Sequence, residues 1–240
     1  MAGGELQSVN SKDIDDLYIT DGVYMVAGDG VTSGEDASAF IIVGEDPILI
    51  DTGAGRSIKK VIENIEIVGV DPESIKKVVV THCHIDHIGG MPYLKEHLGV
   101  MFYMHCLDAG PVERGESDVT AAGMYGVDFP STPVDVKFED SEFTLEIEDK
   151  KLILLHTPGH TPGSISPYID VGGKRVLFAQ DVHGPFLDVF GSDINKWRES
   201  MEKLIELEPD ILCEGHFGIY EPKERALRYI RGYLDRYAGY

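Results

Sequence analysis

The chain has 240 residues, and its 42% hydrophobic and 26% charged content is ordinary for a globular protein with a substantial core. Its formal net charge of −21 is not ordinary. Such a charge argues against nucleic acid and anionic membranes as partners, because both are bound through dense lysine and arginine contacts. The three cysteines, Cys83, Cys106 and Cys213, cannot form a closed disulfide set and match no zinc ribbon.

The first residues show none of the marks of an export signal. Residues 1–16 have no basic start and no apolar stretch of signal-peptide length. No apolar run approaches the roughly 20 residues that a membrane-spanning helix needs. We therefore expect a single cytoplasmic domain over residues 1–240 with no membrane partner, and the sequence leaves assembly into a homo-oligomer open.

The first half of the chain predicts a strand-rich opening followed by alternating helices and strands. Apolar residues recur at helical spacing from Ile58 to Ile65, and a second helix is predicted at residues 91–97. The predicted strands lie at residues 22–26, 40–43, 48–51, 77–81 and 100–104.

Residues 106–135 lose all periodicity, because glycine and proline interrupt them repeatedly. A segment of this length inside a domain is usually functional, so we predict a substrate lid. Beyond it a helix begins at its N-cap Asp193, and another closes the chain at residues 222–237. The remaining predicted strands lie at residues 143–147, 152–156, 165–169, 176–179 and 211–213. Together these elements predict a layered α/β domain.

The segment "THCHIDHIGG", directly after an apolar run, predicts a metal site. Residues i and i+2 of an extended chain point to the same side, so His82 and His84 can reach one metal ion. A turn after them would let Asp86 and His87 face a second ion. Imidazole and carboxylate ligands without thiolate suit zinc, iron or manganese, whereas the competing interpretation is a surface turn rich in histidine.

Three later residues follow β-like runs or tight turns and complete the candidate ligand set. His160 lies in "TPGHTPGS", Asp181 follows "VLFAQ", and His216 ends "ILCEGH". A core or loop histidine and a turn-forming aspartate are the alternatives. Seven such ligands are more than one ion needs and about right for two divalent ions.

These motifs resemble the metallo-β-lactamase superfamily, whose H-x-H-x-D-H signature matches residues 82–87, and "ILIDTG" is similar to its first motif. The resemblance spans essentially the whole chain and implies an αββα four-layer sandwich. It implies a first metal on His82, His84 and His160, a second on Asp86, His87 and His216, and a bridging Asp181. Asp51 would hold the ligand loops from behind, with a simple turn aspartate as the alternative.

The resemblance implies a hydrolase in which a metal-bridging hydroxide attacks a small ester, thioester or lactone, with Asp86 passing the proton to the leaving group. Zinc is the first expectation. Lactonases of this superfamily carry a tyrosine shortly after the bridging aspartate, where this chain has "DVHGPF". His183 is therefore predicted as a general acid or hydrogen-bond donor, against the alternative of a solvated or core histidine.

Two other functions remain open from the sequence. "THCH" with Cys83 is similar to the persulfide dioxygenases, which are mononuclear-iron proteins of the same fold, although their later arginine motif is absent. A diiron oxygen or redox sensor is the third candidate. An apolar wall around the metals is expected from lid and loop residues, with an ordinary core role as the alternative. These are Met124, Tyr125, Phe129, Pro130, Phe186 and Phe190.

Overall fold

Two β-sheets lie face to face in the computed structural model, which describes residues 11–239. The first sheet has seven strands in chain order, antiparallel from the first strand to the fourth and parallel from the fourth to the seventh. Its strands are β1 (Tyr18–Thr20), β2 (Val23–Ala27), β3 (Ala39–Ile42), β4 (Ile48–Ile50), β5 (Lys77–Val79), β6 (Met101–His105) and β7 (Val136–Phe138).

The second sheet has six strands, and all its neighbours are antiparallel except one pair. Its strands are β8 (Glu142–Ile147), β9 (Lys150–His156), β10 (Ile165–Val171), β11 (Lys174–Gln180), β12 (Ile211–Glu214) and β13 (Ile219–Tyr220). They run in the order β13-β12-β11-β10-β9-β8, and β11 and β12 are the parallel pair.

Helices cover the outer face of each sheet. The helices are α1 (Ser11–Leu17), α2 (Ile58–Ile67), α3 (Ile85–Ile88), α4 (Met91–Leu98), α5 (Cys106–Arg114), α6 (Ile194–Glu206) and α7 (Lys223–Arg236). Apolar residues of α2 to α5 pack on the first sheet, and those of α6 and α7 pack on the second. The predicted αββα sandwich is therefore confirmed. Within the described chain, no helix combines the length and apolar character needed to cross a membrane.

Each layer has its own reason to form. Between the sheets, strand residues such as Phe40 and Phe178 meet with their ring centroids 5.1 Å apart, and the apolar face of each sheet is buried there. Helix α6 begins at Asp193, whose side chain accepts hydrogen bonds from the backbone N–H groups of Asn195 and Lys196. Trp197 then buries its ring against the second sheet.

The structure corrects the sequence prediction in one long segment. The predicted lid at residues 106–135 begins with helix α5, which contains Pro111. Gly110 and Pro111 hide the helical pattern, but burial of Ala109 and Val112 against the first sheet stabilises the helix. The remaining predicted strands and helices are confirmed to within three residues at either end. The short elements α1, α3, β1, β7 and β13 were missed because each is too brief to show periodicity.

Candidate metal centre

The candidate ligands follow strands whose carboxyl ends meet at one edge of the sandwich. Asp51 directly follows β4, and the histidine-rich segment follows the parallel strand β5. Asp181 directly follows β11, and His216 follows the parallel strand β12. Side chains at the carboxyl ends of parallel strands converge outside the sheet, which is where ligand sites form in such folds. The first sheet therefore contributes four of the seven candidate ligands, and the second sheet contributes three.

The first group consists of three histidines and one carboxylate oxygen. His84 Nδ1 lies 3.1 Å from His82 Nε2 and 2.9 Å from His160 Nε2. Asp181 Oδ2 lies 3.8 Å from His82 Nε2 and 3.3 Å from His160 Nε2. All four side chains are buried. The structure thus brings together the three histidines predicted to hold the first metal.

The second group shares Asp181 with the first. Its other carboxylate oxygen, Oδ1, lies 3.3 Å from His87 Nε2 and 3.3 Å from His216 Nε2. Asp86 Oδ2 lies 3.3 Å from the same nitrogen of His216. Asp181 therefore stands between the two groups with one oxygen directed at each, and all seven predicted ligands fall within one cluster.

The donor atoms fit a pair of metal ions. Zinc bonds of about 2.0–2.1 Å in tetrahedral geometry place ligand atoms about 3.3 Å apart, which is close to the separations in both groups. Within the described chain, His87 Nε2 and Asp181 Oδ1 are buried and have no hydrogen-bond partner. A buried polar atom without a partner is costly, so a cation between these atoms would satisfy both.

The electrostatics of the first group favour neutral imidazoles. Burial lowers the pKa of His82 well below its ordinary value, and the neighbouring His87 and His84 lower it further. Burial also lowers the pKa of His84 to about 3, with His160 adding to the effect. A neutral imidazole is the form that binds a metal ion, so these two histidines are ready to act as ligands at neutral pH.

The second group is rich in negative charge. Burial lowers the pKa of His216, but Asp181 and Asp86 beside its ring outweigh burial and raise that pKa to about 10. Burial raises the pKa of Asp181, but the positive charges of His216 and His87 outweigh the effect of burial and hold that pKa well below its ordinary value. The group therefore attracts cations, either protons or metal ions.

Asp51 lies behind the candidate ligands, in the position that the family resemblance implied. Its Oδ2 lies 2.7 Å from His87 Nδ1 and accepts a hydrogen bond from Thr81 Oγ1, also at 2.7 Å. Its Oδ1 accepts from the Thr81 backbone N–H at 2.8 Å. A carboxylate that holds the outer nitrogen of a ligand histidine fixes the tautomer and directs Nε2 toward the metal.

Asp108 contacts the segments that carry candidate ligands, and sequence analysis missed it. This buried carboxylate accepts hydrogen bonds from Cys83 N at 3.0 Å, Thr161 Oγ1 at 2.6 Å and Gly163 N at 2.6 Å. Cys83 lies between two histidine ligands, and Thr161 directly follows a third. One side chain therefore holds the two segments that supply the histidines of the first group. Its lack of any local motif left no signal in the sequence.

Glu214 was also missed, and it positions His183. The fully buried Glu214 accepts backbone hydrogen bonds from His216 and Phe217 through Oε2, at 2.7 and 2.8 Å. Its Oε1 lies 2.8 Å from His183 Nδ1. A ring nitrogen of His183 lies within 4.8 Å of ligand atoms of Asp181 and His216, so the histidine borders the second group.

An open cleft of about 230 Å³ leads to the metal centre. Of the residues predicted to form an apolar wall, Met124, Tyr125 and Phe190 line it. Phe129 is instead buried in the core beside the first sheet, and Phe186 packs on Trp197 and an adjacent tyrosine. The other lining residues are His84, Asp86, Ala121, His160, Asp181, His183, Pro185, Leu187 and His216, so Pro130 is not among them.

Comparison with known proteins identifies relatives of this chain. A family model described as the metallo-beta-lactamase superfamily matches residues 32–216. The probable metallo-hydrolase YflN of Bacillus subtilis is 29% identical over 213 residues, covering 74% of this chain and 78% of that protein. The human acyl-coenzyme A thioesterase MBLAC2 is 26% identical over 247 residues, covering 90% of this chain and 85% of that protein.

Solved structures support the same architecture. A metallo-beta-lactamase from Cronobacter sakazakii, carrying mutations in its HARLDQ motif, superimposes with a TM-score of 0.77 at 23% sequence identity. The match covers 92% of this chain and 94% of that one. At this identity the likeness establishes the fold alone.

Proposed function

The chain belongs to the metallo-β-lactamase superfamily, and from that premise we propose that it is a binuclear metal-dependent hydrolase of a small ester, thioester or lactone. The observation that carries this proposal is the position of Asp181, whose two oxygens face separate groups of histidines. A carboxylate in this arrangement can bridge two cations. The names of the relatives as metallo-hydrolases and as a thioesterase support a hydrolytic reaction.

The seven clustered residues would hold the two ions. His82, His84 and His160 would bind the first ion, and Asp86, His87 and His216 would bind the second, with Asp181 shared. Zinc is the best match to nitrogen and carboxylate ligands at these separations, and iron or manganese can occupy the same donors. When bound, two divalent ions would lower the pKa of a water molecule held between them toward ~7 and polarise a substrate carbonyl.

The residues around the ions would guide substrate and protons. Asp86 lines the cleft beside His216, where its carboxylate can accept a proton and deliver it to the leaving group. His183, held by Glu214 at 2.8 Å, would donate a hydrogen bond to the substrate. Tyr125 also lines the cleft, and the pKa of its hydroxyl is raised by burial and by the charge of Asp86, so it stays protonated as a second donor.

We propose a substrate lid that is shorter than the one the sequence predicted. Residues 115–135 contain no helix or strand in the described chain, and Met124 and Tyr125 project from this segment to the cleft. Ala122 and Phe129 bury their side chains on the first sheet and fix the segment at its middle and toward its end. The segment would therefore form one wall over a bound substrate.

Metal content and turnover test the function together. Protein purified without added metal should contain about two zinc ions per chain by elemental mass spectrometry, and it should hydrolyse members of an ester, thioester and lactone panel. A chelator should abolish turnover, and zinc should restore it. His84→Ala should lower the zinc content and abolish turnover. The matched variant His97→Ala, at an exposed histidine on α4, should keep the native zinc content and turnover.

Three results would contradict the proposed function. Binding of at most one ion at saturating zinc would refute the shared role of Asp181. Stoichiometric iron with visible absorption and thiol- or persulfide-dependent oxygen consumption, without ester hydrolysis, would indicate an iron oxygenase. A coloured iron site that reacts with oxygen and shows no turnover would indicate a diiron sensor.

The role of His183 has its own test. His183→Gln should lower kcat by about 10–100-fold, because it removes a hydrogen bond to a developing charge. The zinc content and KM should stay near their native values. Glu214→Gln should lower kcat less, because the amide oxygen can still accept from His183. An unchanged kcat in His183→Gln would remove this residue from the proposed machinery.

A further inference from the structure

The walls of the cleft carry no positive charge apart from the histidines of the metal centre. None of the described residues that line it is a lysine or an arginine. Apart from Tyr125, every polar side chain in the lining is a candidate ligand or His183. The rest of the lining is apolar and consists of Ala121, Met124, Pro185, Leu187 and Phe190.

Large apolar side chains are exposed around the mouth of this cleft. Met124 is 65% exposed, Phe217 57% and Leu187 39%, and the Phe217 ring lies 4.7 Å from the ring of His183. Apolar side chains that gather in water around a cleft mark a surface that binds an apolar group. The cleft is small, about 230 Å³, against the ~300–1,000 Å³ usual for drug-sized ligands.

Arg56 and Lys196 lie near the cleft but do not line it. The Arg56 guanidinium donates to both carboxylate oxygens of Glu35, at 2.8 and 2.9 Å, and also reaches the backbone carbonyl of Tyr125 at 3.4 Å. Lys196 lines a neighbouring cavity together with Asp188 and Asp193. Outside the metal centre, a negatively charged part of a substrate would therefore meet no lysine or arginine among the described residues that line the cleft, and it would approach a chain with a net charge of −21.

We infer that the site selects small substrates with an apolar acyl or aryl part and a leaving group that carries no negative charge. This preference rests on the proposed hydrolytic function and narrows it. Coenzyme A thioesters carry several phosphate charges on the leaving group, so they are expected to be poor substrates. The thioesterase named among the relatives shares only 26% identity, and its substrate does not transfer to this chain.

Two thioesters with the same acyl chain test the preference during turnover. Hexanoyl-N-acetylcysteamine is neutral at the leaving group, and hexanoyl-coenzyme A is polyanionic. With zinc-loaded protein at low ionic strength, kcat/KM should be about tenfold or more higher for the neutral thioester, and salt should narrow the gap by screening. Equal rates, or a faster reaction of the coenzyme A thioester, would overturn the inference.

Two non-hydrolysable thioethers separate this inference from the hydrolytic function. S-hexyl-N-acetylcysteamine and S-hexyl-coenzyme A can be compared by calorimetric titration of the zinc-loaded protein. Tighter binding of the neutral thioether supports the inference even if neither thioester is hydrolysed. The absence of hydrolysis would refute only the proposed hydrolytic function. Equal binding, tighter binding of the coenzyme A thioether, or no binding of either would overturn the inference whatever the turnover.

A charge placed at the mouth provides a second test. Met124→Lys adds a cation at an exposed position, so folding should be unaffected, and the preference for the neutral thioester should shrink a few-fold at low salt. The matched variant Met101→Lys adds the same charge at another exposed methionine, at the start of β6 and away from the strand ends that carry the centre. It should leave the preference unchanged. The same change in both variants would overturn the inference.

Discussion

Replacing Asp108 with alanine should weaken the first metal group, although Asp108 contacts no ligand side chain. Its carboxylate accepts from the backbone N–H groups of Cys83 and Gly163 and from the Thr161 hydroxyl. These three residues belong to the two separate segments that carry the histidines of the first group. The described hydrogen bonds of Cys83, Thr161 and Gly163 include no other that joins the two segments. The segments also meet where the Ile165 N–H donates to the Thr81 carbonyl at 2.9 Å and where His84 lies against His160.

The structure sets the size of the expected effect. Alanine leaves the buried N–H groups of Cys83 and Gly163 without an acceptor, at about 1–3 kcal/mol each. The Thr161 hydroxyl keeps Ser164 Oγ at 2.7 Å, so its loss is smaller. Burial raises the pKa of Asp108, which means that its charge is itself costly, and removing it returns part of the loss. We expect the free energy of unfolding to fall by about 2–4 kcal/mol.

Zinc affinity decides whether Asp108 acts on the metal centre. Loss of a residue that orients ligands typically costs 10–100-fold in metal affinity, and competition with a chromophoric chelator would measure it. Urea unfolding of the chelator-treated protein would give the stability change. Asp135→Ala is the matched control, since Asp135 accepts from Phe102 N at 2.8 Å and from Lys95 near the start of β6. It should lose stability and keep its zinc affinity. An Asp108→Ala protein that is destabilised but binds zinc as tightly as the native protein would refute this reasoning.

Three further predictions follow from individual contacts. Asp51→Asn should weaken zinc binding by about 10–100-fold by releasing the outer nitrogen of His87, and unchanged affinity in the same competition assay would contradict that role. Gly89→Ala should lower the free energy of unfolding in urea by about 3 kcal/mol or more, because its Cβ would lie 2.1 Å from a backbone carbon of the neighbouring loop. In Gly232→Ala, in helix α7, the added Cβ meets nothing within 4 Å, and the free energy of unfolding should rise by about 0.5–1 kcal/mol. Burial and a stacked histidine lower the pKa of His105 to about 4. Between pH ~6.5 and ~4 the unfolded chain therefore binds more protons than the folded protein, and the folded protein loses stability as the pH falls through that range. His105→Gln should flatten that loss by about 2–3 kcal/mol in unfolding measured from pH 7 to 4, and an unchanged pH profile would show that another group causes it.

Local patterns in the sequence predict most of the fold. Strands such as β9 and β11 are continuous apolar runs, and α2 and α6 carry apolar residues at helical spacing, so both kinds of element could be located without a structure. Helix α5 escaped because Gly110 and Pro111 lie in its middle, and its stability comes from tertiary packing that no local pattern reports. Elements of two or three residues, such as β13, gave no periodic signal at all.

The seven candidate ligands were all predicted from the sequence, but the residues that support them were found only in part. Asp51 could be predicted because it ends a strand in a recognisable motif. Asp108 could not, since its partners lie 25, 53 and 55 positions away along the chain. Glu214 is the last residue of β12, directly after its apolar run, and contacts His183, 31 residues before it. Long-range hydrogen bonds of this kind depend on the topology and leave no trace in spacing.

The metal centre lies where the two sheets meet, and this position links metal binding to the stability of the whole sandwich. The segment after β5 carries four of the candidate ligands on the side of the first sheet, and the second sheet carries the other three. Asp181, from the second sheet, faces histidines of both halves within 3.8 Å. An ion held by ligands from both sheets therefore binds the folded protein far more tightly than the unfolded chain, and its binding free energy adds to folding stability.

The same arrangement concentrates the carboxylates of Asp51, Asp86 and Asp181 around buried histidines. The proposed metal ions would lie between these carboxylates and relieve their mutual repulsion.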